Sequence, residues 1–328
     1  MMLKRKRPCA LALLLITLLP MLLSCVKSPD INAEDALCTF TDDRMRTVSV
    51  KESPQRVAVL FSSFADVWQS AGGTVSVTVG ESVERGFASA DAILVDRGAG
   101  KTVNTELLLA SKPDLVICSA DIEAQVKCAE LLERHGIAVA CFRVESFSDY
   151  LRVLDVCTQI TGRRDCYQKN GLDVKARIDD MLSEVRKSEK HREILFVRAS
   201  ATSVKAKSSR DHFASAMLSE LGAHNVADDT PLLIDGLGGE TILQKNPSHV
   251  FVSIMGNEES ARQALFSNTV LSSLDAVKNG RCHILPKELF QYKPNARWDE
   301  AYRYLIGILY ENVETKTETS ALPLGTDP

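Results

Sequence analysis

Two segments of this chain, 134 positions apart, carry the same pattern of residues. Each has a glutamate followed by a leucine, then a proline and an apolar run; the pairs are Glu106 with Pro113, and Glu240 with Pro247. An acidic residue suits the first turn of a helix and a proline ends one, so each copy predicts a short helix followed by a buried strand. A chain that repeats this unit is expected to fold as two similar halves.

Strands and helices alternate on both sides of each copy. The strands are short runs rich in valine and isoleucine, which is typical of parallel sheets covered on both faces. In the first half the pattern predicts strands over 56–61, up to 79 and over 137–142, with helices over 64–71 and 122–135. In the second half it predicts strands over 193–197 and 282–285, with helices over 213–221, 258–266, 271–278 and 298–310.

One long helical pattern joins the halves. It runs from about residue 166 to 190, with Gly171 weakening its start, and at ~1.5 Å per residue it spans roughly 37 Å. We therefore predict an α/β fold of two Rossmann-like lobes with parallel sheets, over 46–162 and 193–312, joined by a single bridging helix over 163–192. A ligand cleft is expected between the lobes, where the carboxyl ends of parallel strands present their loops. A single stiff connector favours a small opening motion.

The N-terminus has the features of an export signal. A basic run over 4–7 precedes an apolar stretch over 10–23, which is short for a membrane span of about 20 residues and contains Pro20. The stretch ends Leu22-Leu23-Ser24-Cys25, which resembles the bacterial lipoprotein signal and implies acylation of Cys25. A free secreted protein and an uncleaved anchor are the alternatives. We interpret residues 26–45 as a flexible tether and 313–328 as a disordered tail.

The nine cysteines leave the disulfide pattern open. Removing Cys9 with the signal and acylating Cys25 leaves an odd number, so they cannot all pair with one another. Cys118 and Cys141 lie in apolar strand-like runs, where cysteine is usually a small hydrophobic residue. Cys157 and Cys166 are the most plausible disulfide, without further support. No CxxC motif occurs, which disfavours a structural zinc site.

Nothing in the sequence predicts catalysis, a cofactor or nucleic-acid binding. The formal net charge is −4, whereas nucleic-acid binding proteins carry a basic face. The chain lacks the GxSxG, GxxxxGK[ST] and HExxH motifs, and the glycine-rich run over 236–240 lacks the spacing of a phosphate loop. Of six histidines only His212 falls in a predicted cleft loop, so no direct metal site is expected.

Two motifs resemble a known family. The run from Asn104 through Glu106 and Pro113 to Ile117 follows the first-lobe signature of the substrate-binding proteins of ferric-siderophore, heme and cobalamin ABC importers. The run from Pro294 to Tyr302 resembles the C-terminal signature of the iron-complex branch. The resemblance covers about residues 46–312. It implies a monomeric, lipid-anchored extracytoplasmic protein that delivers an iron chelate to a permease dimer with its ATPase.

The resemblance also implies a docking role for two glutamates. Family members carry one acidic residue on each lobe, which docks onto arginines of the permease dimer, and the matching positions are Glu106 and Glu240. Equivalent acidic groups on two similar lobes suit a two-fold symmetric partner. The alternative is that both are favourable first-turn charges of their helices.

The candidate ligand contacts follow from loop position. Loops after predicted strands and near the last helix carry basic, aromatic and hydroxyl side chains, namely Ser63, Phe64, Arg97, Arg143, Arg198, Lys205, Lys207, His212, Tyr292 and Arg297. Arginine pairs well with carboxylate and catecholate oxygens, and aromatic rings pack on apolar ligand faces. These groups suit an anionic ferric siderophore or heme.

The sequence is compatible with three other functions. The first is an importer subunit that binds cobalamin, and the second is a lipid-anchored, chelatase-like enzyme acting on a metal tetrapyrrole. That enzyme needs a histidine and a carboxylate converging on the cleft, which the sequence does not show. In the third the chain is a receptor that signals without transport.

Overall fold

A five-stranded parallel sheet forms the centre of the N-terminal lobe. The computed structural model describes residues 36–96, 102–186, 192–229 and 238–310. The sheet has the order β5-β4-β3-β6-β7, with β3 Val57–Val59, β4 Val77–Thr78, β5 Ile93–Leu94, β6 Leu115–Ser119 and β7 Ala138–Phe142. The surrounding helices are α1 Ser62–Ser70, α2 Gly80–Glu84, α3 Thr105–Ala110, α4 Glu123–Arg134 and α5 Phe147–Thr161.

The C-terminal lobe has the same kind of sheet. Its parallel strands have the order β10-β8-β11-β12, with β8 Arg192–Ala199, β10 Ala223–Asn225, β11 His249–Ile254 and β12 Cys282–Ile284, and with β9 Val204–Ala206 antiparallel to β8. Its helices are α8 Phe213–Glu220, α9 Gly239–Lys245, α10 Glu258–Ser267, α11 Thr269–Ser273, α12 Asp275–Lys278, α13 Lys287–Phe290 and α14 Trp298–Leu309. The predicted α/β class and the two parallel sheets are confirmed.

The sequence repeat corresponds to a structural repeat. Helix α3 leads into β6, and helix α9 leads into β11 at the equivalent place in the second sheet. Leu108 and Ile242 are buried at equivalent positions of the two helices, each 0% exposed. Each helix is followed by a residue with positive φ, Lys112 at 49° and Asn246 at 42°, directly before the proline. The left-handed residue and the proline together end the helix and turn the chain into the strand that follows.

The connector between the lobes is helical but not uniform. It consists of α6 Arg164–Tyr167, a π-helical turn over Gln168–Leu172, and α7 Asp173–Val185. Gly171 lies in the π-helical turn, where a Cβ atom would come within 3.1 Å of Leu151 and Leu154. The predicted bridging helix is therefore present over 164–185, with a π-helical turn where close packing on α5 favours glycine.

The C-terminal helix provides a second connection between the lobes. The indole of Trp298 lies 6.1 Å from the ring of Phe147 in the N-terminal lobe and 5.5 Å from the ring of Phe213 in the C-terminal lobe. Just before it, the Asn295 side-chain amide donates to the Ser63 carbonyl at 2.9 Å and to the Asp66 carboxylate at 2.8 Å. Helix α14 also packs on α7, where Arg177 pairs with Asp299 at 2.7 Å. The lobes thus share buried contacts in addition to the connector.

Two sequence predictions are wrong. The tether does not extend to residue 45, because Cys38–Thr41 forms strand β1, paired with β2 Thr47–Val50. The turn between them is anchored by the buried Asp42, whose carboxylate accepts the Cys141 backbone N–H at 3.2 Å. Cys157 and Cys166 are not a disulfide in this structure; both are free, and Cys157 is buried whereas Cys166 is half-buried. The signal segment, Cys25 and the 313–328 tail lie outside the described residues.

Replacement of Gly73 by alanine is expected to destabilise the N-terminal lobe by about 1–3 kcal/mol. A Cβ atom there would lie 2.2 Å from the Trp68 indole, which is 2% exposed and donates its Nε1–H to the Thr74 carbonyl at 3.1 Å. The free energy of unfolding from urea titration measures the effect. Gly307→Ala is the control, because a Cβ there meets nothing within 4 Å and the helix gains up to about 1 kcal/mol. Equal stability of the two variants would contradict the close contact at Gly73.

Candidate ligand-binding cleft

The carboxyl ends of both sheets face a cavity between the lobes. The cavity has a volume of about 420 Å³. The N-terminal lobe contributes Asp121, Arg143 and Glu145, which follow β6 and β7, and the C-terminal lobe contributes residues 209–213 and Ala216 around the start of α8. A cavity in this position is where parallel α/β sheets usually bind ligands.

Arg143 is held in the N-terminal wall of this cavity. Its Nε donates to the Asp121 carboxylate at 2.5 Å, and its backbone N–H donates to Asp43 at 2.6 Å. The hydrogen bond with Asp121 raises the pKa of the Arg143 guanidinium. Because the contact to Asp121 uses Nε, the guanidinium is fixed in direction while about half of the side chain stays exposed, at 49%.

His212 forms the opposite wall as a neutral hydrogen-bond donor. Its Nδ1 accepts the Ala214 backbone N–H at 3.2 Å and so caps α8, which places the ring proton on Nε2. The ring packs against the rings of Phe196 and Phe213, with its centre 4.6 Å from the first and 5.0 Å from the second. Burial, and then the nearby cations Lys293, Arg198 and Lys207, lower the pKa of His212 from 6.5 to about 3.

Lys293 joins the two walls. Its Nζ donates to Glu145 of the N-terminal lobe at 3.1 Å and lies 4.5 Å from the centre of the Phe213 ring of the C-terminal lobe. Burial lowers the pKa of this ammonium group, with Glu145 acting in the opposite direction. Lys293 thus connects the two lobes beside His212.

A second, smaller cavity of about 200 Å³ opens at the end of β8 and is lined by Arg198, Lys205 and Lys207 together with Ser200, Ser203 and Met255. The Nε of Arg198 is buried and has no hydrogen-bond partner among the described residues. Burial also lowers the pKa of its guanidinium. A desolvated arginine nitrogen without a partner is costly unless an anion or polar ligand supplies one.

The two linings differ in charge. The cavity between the lobes has two arginines and three carboxylates, namely Arg143 and Arg210 against Asp121, Glu145 and Asp211, whereas the smaller cavity has Arg198, Lys205 and Lys207 and favours an anion. The cavities act on one another electrostatically, because Arg198 and Lys207 of the second lower the pKa of His212 in the first. Of the residues predicted from the sequence, the structure places Arg143 and His212 in the wall of the cavity between the lobes and Arg198, Lys205 and Lys207 in the smaller cavity.

Tyr292 lies beside an arginine that the sequence analysis did not single out. The guanidinium carbon of Arg85 is 3.7 Å from the centre of the Tyr292 ring and 4.7 Å from that of Phe87, and its NH1 donates to the Ser62 hydroxyl at 3.0 Å. Arg85 follows α2 in the N-terminal lobe, whereas Tyr292 belongs to the C-terminal lobe. This cation–π contact covers one face of the tyrosine ring, so that face is not free for a ligand.

Three candidate ligand contacts, Ser63, Phe64 and Arg297, do not line either cavity. Ser63 and Phe64 are each 5% exposed; the Ser63 carbonyl accepts from Asn295, and the Phe64 ring packs edge-on against Phe142. They support the lobe contact, so we do not retain them as ligand contacts. Arg297 pairs with Glu300 at 2.8 Å in the first turn of α14 and lines neither cavity. Arg97 lies outside the described residues.

Glu106 and Glu240 occupy equivalent exposed positions on the two lobes. Each lies in the first turn of its helix, α3 or α9, and each helix leads into an inner strand of its sheet, β6 or β11. Helix α3 already has a side-chain cap, because the side-chain Oδ1 of Asn104 accepts the Leu107 N–H at 3.1 Å. The glutamate carboxylate is therefore not needed to cap that helix.

Comparison with known proteins identifies the family. The family model described as periplasmic binding protein matches residues 57–289, which is more than two thirds of the 328-residue chain. The chain therefore belongs to the periplasmic binding protein family, and the resemblance noted in the sequence is confirmed. No curated protein sequence matches it. In the part of the chain that the structure describes, every helix is too short or too polar to cross a membrane.

Three solved structures share the fold at low sequence identity. BtuF, the periplasmic vitamin B12 binding protein of Vibrio cholerae, is 18% identical over 78% of this chain and 97% of its own, with a TM-score of 0.63. Staphylococcus aureus IsdE complexed with heme is 15% identical over 78% of this chain and 98% of its own, with a TM-score of 0.62. Staphylococcus aureus SirA complexed with staphyloferrin B is 18% identical over 84% of this chain and 97% of its own, with a TM-score of 0.61. At these identities the similarity establishes the two-lobed fold.

His212→Asn is expected to weaken the pH dependence of stability. The unfolded chain protonates this histidine near pH 6.5, whereas the folded pKa is about 3, so wild-type stability falls as pH decreases below 6.5 and is unaffected above it. Asparagine keeps the α8 cap and does not titrate. Between about pH 7 and 4.5 the variant should therefore lose about 2 kcal/mol less of its free energy of unfolding than the wild type does. Urea unfolding at about pH 7 and 4.5 measures this, with His135→Asn as the exposed control. Parallel pH profiles for wild type and His212→Asn would contradict the buried, neutral imidazole.

Proposed function

We propose that this protein is the extracytoplasmic substrate-binding subunit of an ABC importer, anchored to the membrane by acylation of Cys25, and that it captures an anionic iron chelate. The observation that carries the proposal is the cationic cavity at the end of β8, lined by Arg198, Lys205 and Lys207, where the buried Nε of Arg198 has no hydrogen-bond partner among the described residues. Carboxylate or catecholate oxygens of a chelate supply the partner that this nitrogen lacks.

His212 favours a ferric siderophore over heme. Heme iron takes axial ligands from the protein, and a histidine ligates with a nitrogen lone pair. In His212 the Nδ1 lone pair accepts from the Ala214 N–H, so Nε2 carries the proton and is a donor without a lone pair for iron. A siderophore that fills the coordination sphere of iron with its own oxygens needs hydrogen-bond donors and cations from the protein, and His212 and Arg143 of the cavity lining are of this kind.

Glu106 and Glu240 are the proposed docking residues for the permease dimer. Both carboxylates are exposed, occupy equivalent positions and belong to different lobes, which suits a partner with two-fold symmetry. The protein acts as a monomer in this proposal, because one copy presents both contacts to the two permease subunits.

The absorbance of the bound ligand tests the proposal. Residues 26–328 are incubated separately with ferric carboxylate and catecholate siderophores, hemin, cyanocobalamin and ferric chloride, then passed over a size-exclusion column. We expect one ferric siderophore to co-elute in an equimolar amount. The Arg198→Ala/Lys207→Ala variant should retain tenfold to a hundredfold less ligand at limiting concentration, because each charge-assisted hydrogen bond contributes about 1.5–3 kcal/mol.

Arg262→Ala is the matched control, since Arg262 is an exposed cation on α10 that pairs only locally with Glu258. Its binding should equal that of wild type. Co-elution of cyanocobalamin alone would assign the protein to vitamin B12. Co-elution of hemin alone would contradict the role given to His212, and binding of none would contradict the iron-chelate assignment.

A further inference from the structure

Two buried cysteines face each other inside the N-terminal lobe. Cys118 of β6 and Cys141 of β7 are register partners on neighbouring parallel strands. Both are free thiols in this structure, with their sulfur atoms 2.8 Å apart and both side chains 0% exposed. Neighbouring strands lie about 4.7–4.9 Å apart, which falls within the range of roughly 4.4–6.8 Å between the Cα atoms of disulfide-bonded cysteines. The backbone therefore already holds the two residues at bonding separation.

The surroundings fix this pair in place. The backbone N–H of Cys141 donates to the Asp42 carboxylate at 3.2 Å, and its carbonyl accepts the Asp43 N–H at 2.9 Å, so the turn between β1 and β2 clamps β7 at this residue. Cys128 of α4 packs in the same apolar core, but its thiol receives a hydrogen bond from the Thr105 hydroxyl at 3.7 Å. Cys118 and Cys141 are thus the matched pair in a cluster of three thiols.

We propose that Cys118 and Cys141 form a disulfide bond in the exported protein, which rests on the extracytoplasmic location proposed above. The two thiols lose two protons and two electrons as the sulfur–sulfur bond forms. A protein disulfide of the exporting compartment accepts the electrons by thiol–disulfide exchange and is released as a dithiol. Because the folded pair is inaccessible, the exchange occurs before β7 closes against β6.

The bond has a consequence for the cleft. Asp121 follows Cys118 by three positions and Arg143 follows Cys141 by two, and these two side chains form the ion pair of the N-terminal wall. A covalent link between β6 and β7 at this level fixes the spacing of the strand ends that carry the pair. The disulfide therefore stabilises the ligand-binding wall rather than a remote part of the lobe.

Mass spectrometry tests the bond directly. The full chain is exported with its own signal into an oxidising compartment, purified without reductant, denatured with a thiol-blocking reagent and digested. We expect a cross-linked peptide pair containing Cys118 and Cys141, with Cys38, Cys128, Cys157, Cys166 and Cys282 alkylated. Complete alkylation of Cys118 and Cys141, or a cross-link between Cys157 and Cys166 in their place, would overturn the proposal.

Thermal unfolding provides the second readout. Reduction in denaturant followed by refolding under reductant should lower Tm by roughly 5–10 °C in the wild type. The Cys118→Ala/Cys141→Ala variant should show no difference between reduced and non-reduced samples, and Cys157→Ala should keep the wild-type difference. A wild-type Tm that is indifferent to reduction would also overturn the proposal. Siderophore binding is measured on the same samples, so loss of binding with the cross-link intact would fault the proposed function alone.

Discussion

Replacing Glu106 and Glu240 together with lysine is expected to abolish uptake while leaving ligand affinity unchanged. Both carboxylates are exposed on the first turns of α3 and α9, outside the two cleft cavities. In the proposed docking mode, reversing both charges places lysines opposite arginines of the permease, and like charges across an interface cost several kcal/mol, which corresponds to a loss of roughly a hundredfold or more in docking. Uptake of iron-labelled ligand by cells that carry only the variant, with Kd measured on purified protein, gives the two readouts.

Glu123→Lys/Glu259→Lys is the matched control for this prediction. These glutamates also lie in first turns, of α4 and α10, one on each lobe, so their reversal produces the same unfavourable interaction with a helix dipole. The control should transport normally. Equal loss of uptake in both double variants would show that the change at Glu106 and Glu240 acts through helix stability, and loss of ligand affinity would place these residues on the wrong surface.

Trp298→Ala is expected to lower the free energy of unfolding by about 3–5 kcal/mol. The indole is 1% exposed and contacts Phe147 of the N-terminal lobe as well as Phe213 of the C-terminal lobe. Its removal leaves a cavity where the lobes meet, which the backbone of α14, held by the Arg177–Asp299 pair, closes only in part. Urea unfolding followed by circular dichroism measures the loss.

Tyr304→Ala is the control on the same helix. Tyr304 is 38% exposed and contacts the ring of Phe290 at 5.6 Å, so its truncation should cost about 1 kcal/mol or less. A similar small cost for Trp298→Ala would mean that the lobes are held by the connector alone. Trp298 and Asn295 add a second connection between the lobes, which favours a small opening motion between ligand-free and ligand-bound forms.

The repeat was the part of the fold that the sequence predicted best. Glu106, Pro113 and their counterparts marked both helix–strand units, because the start and end of a short helix depend on residues close in sequence. The β1–β2 hairpin was missed for the opposite reason. Asp42 accepts the local backbone N–H groups of Arg44 and Arg46, but its hairpin packs on the lobe through a bond to the backbone of Cys141, about a hundred residues away, which no local pattern encodes.

The candidate site was predicted in part for a related physical reason. Arg143 and His212, predicted from strand-end loops, line the cavity between the lobes, because the carboxyl ends of parallel strands share one edge. Position after a strand does not determine the direction of a side chain, and the Ser63 hydroxyl contacts Asn295 where the lobes meet. The sequence did not indicate the contact of Arg85 with Tyr292, because Tyr292 lies on the other lobe. The one local feature that could have marked Arg85 as a cleft residue was its position directly after the short helix α2.

Cysteine pairing shows the same limit. Cys157 and Cys166 are close in sequence, yet Cys157 is on the buried face of α5 and Cys166 is half-buried on α6. Cys118 and Cys141 resembled small apolar residues of two separate strands, and only the register between β6 and β7 brings them together. Register is set by the whole lobe, so spacing along the chain could not reveal it.

Fluorescence titration of residues 26–328 measures whether the protein binds an anionic iron chelate. Trp298 packs at the junction of the lobes beside Phe213, which lines the larger of the two cavities, so a ligand in the cleft should change its emission. We expect saturable quenching by one ferric siderophore, weakened tenfold or more in Arg198→Ala/Lys207→Ala, and none by free ferric ion. Quenching by cyanocobalamin alone, or the same Kd for the variant and wild type, would contradict it.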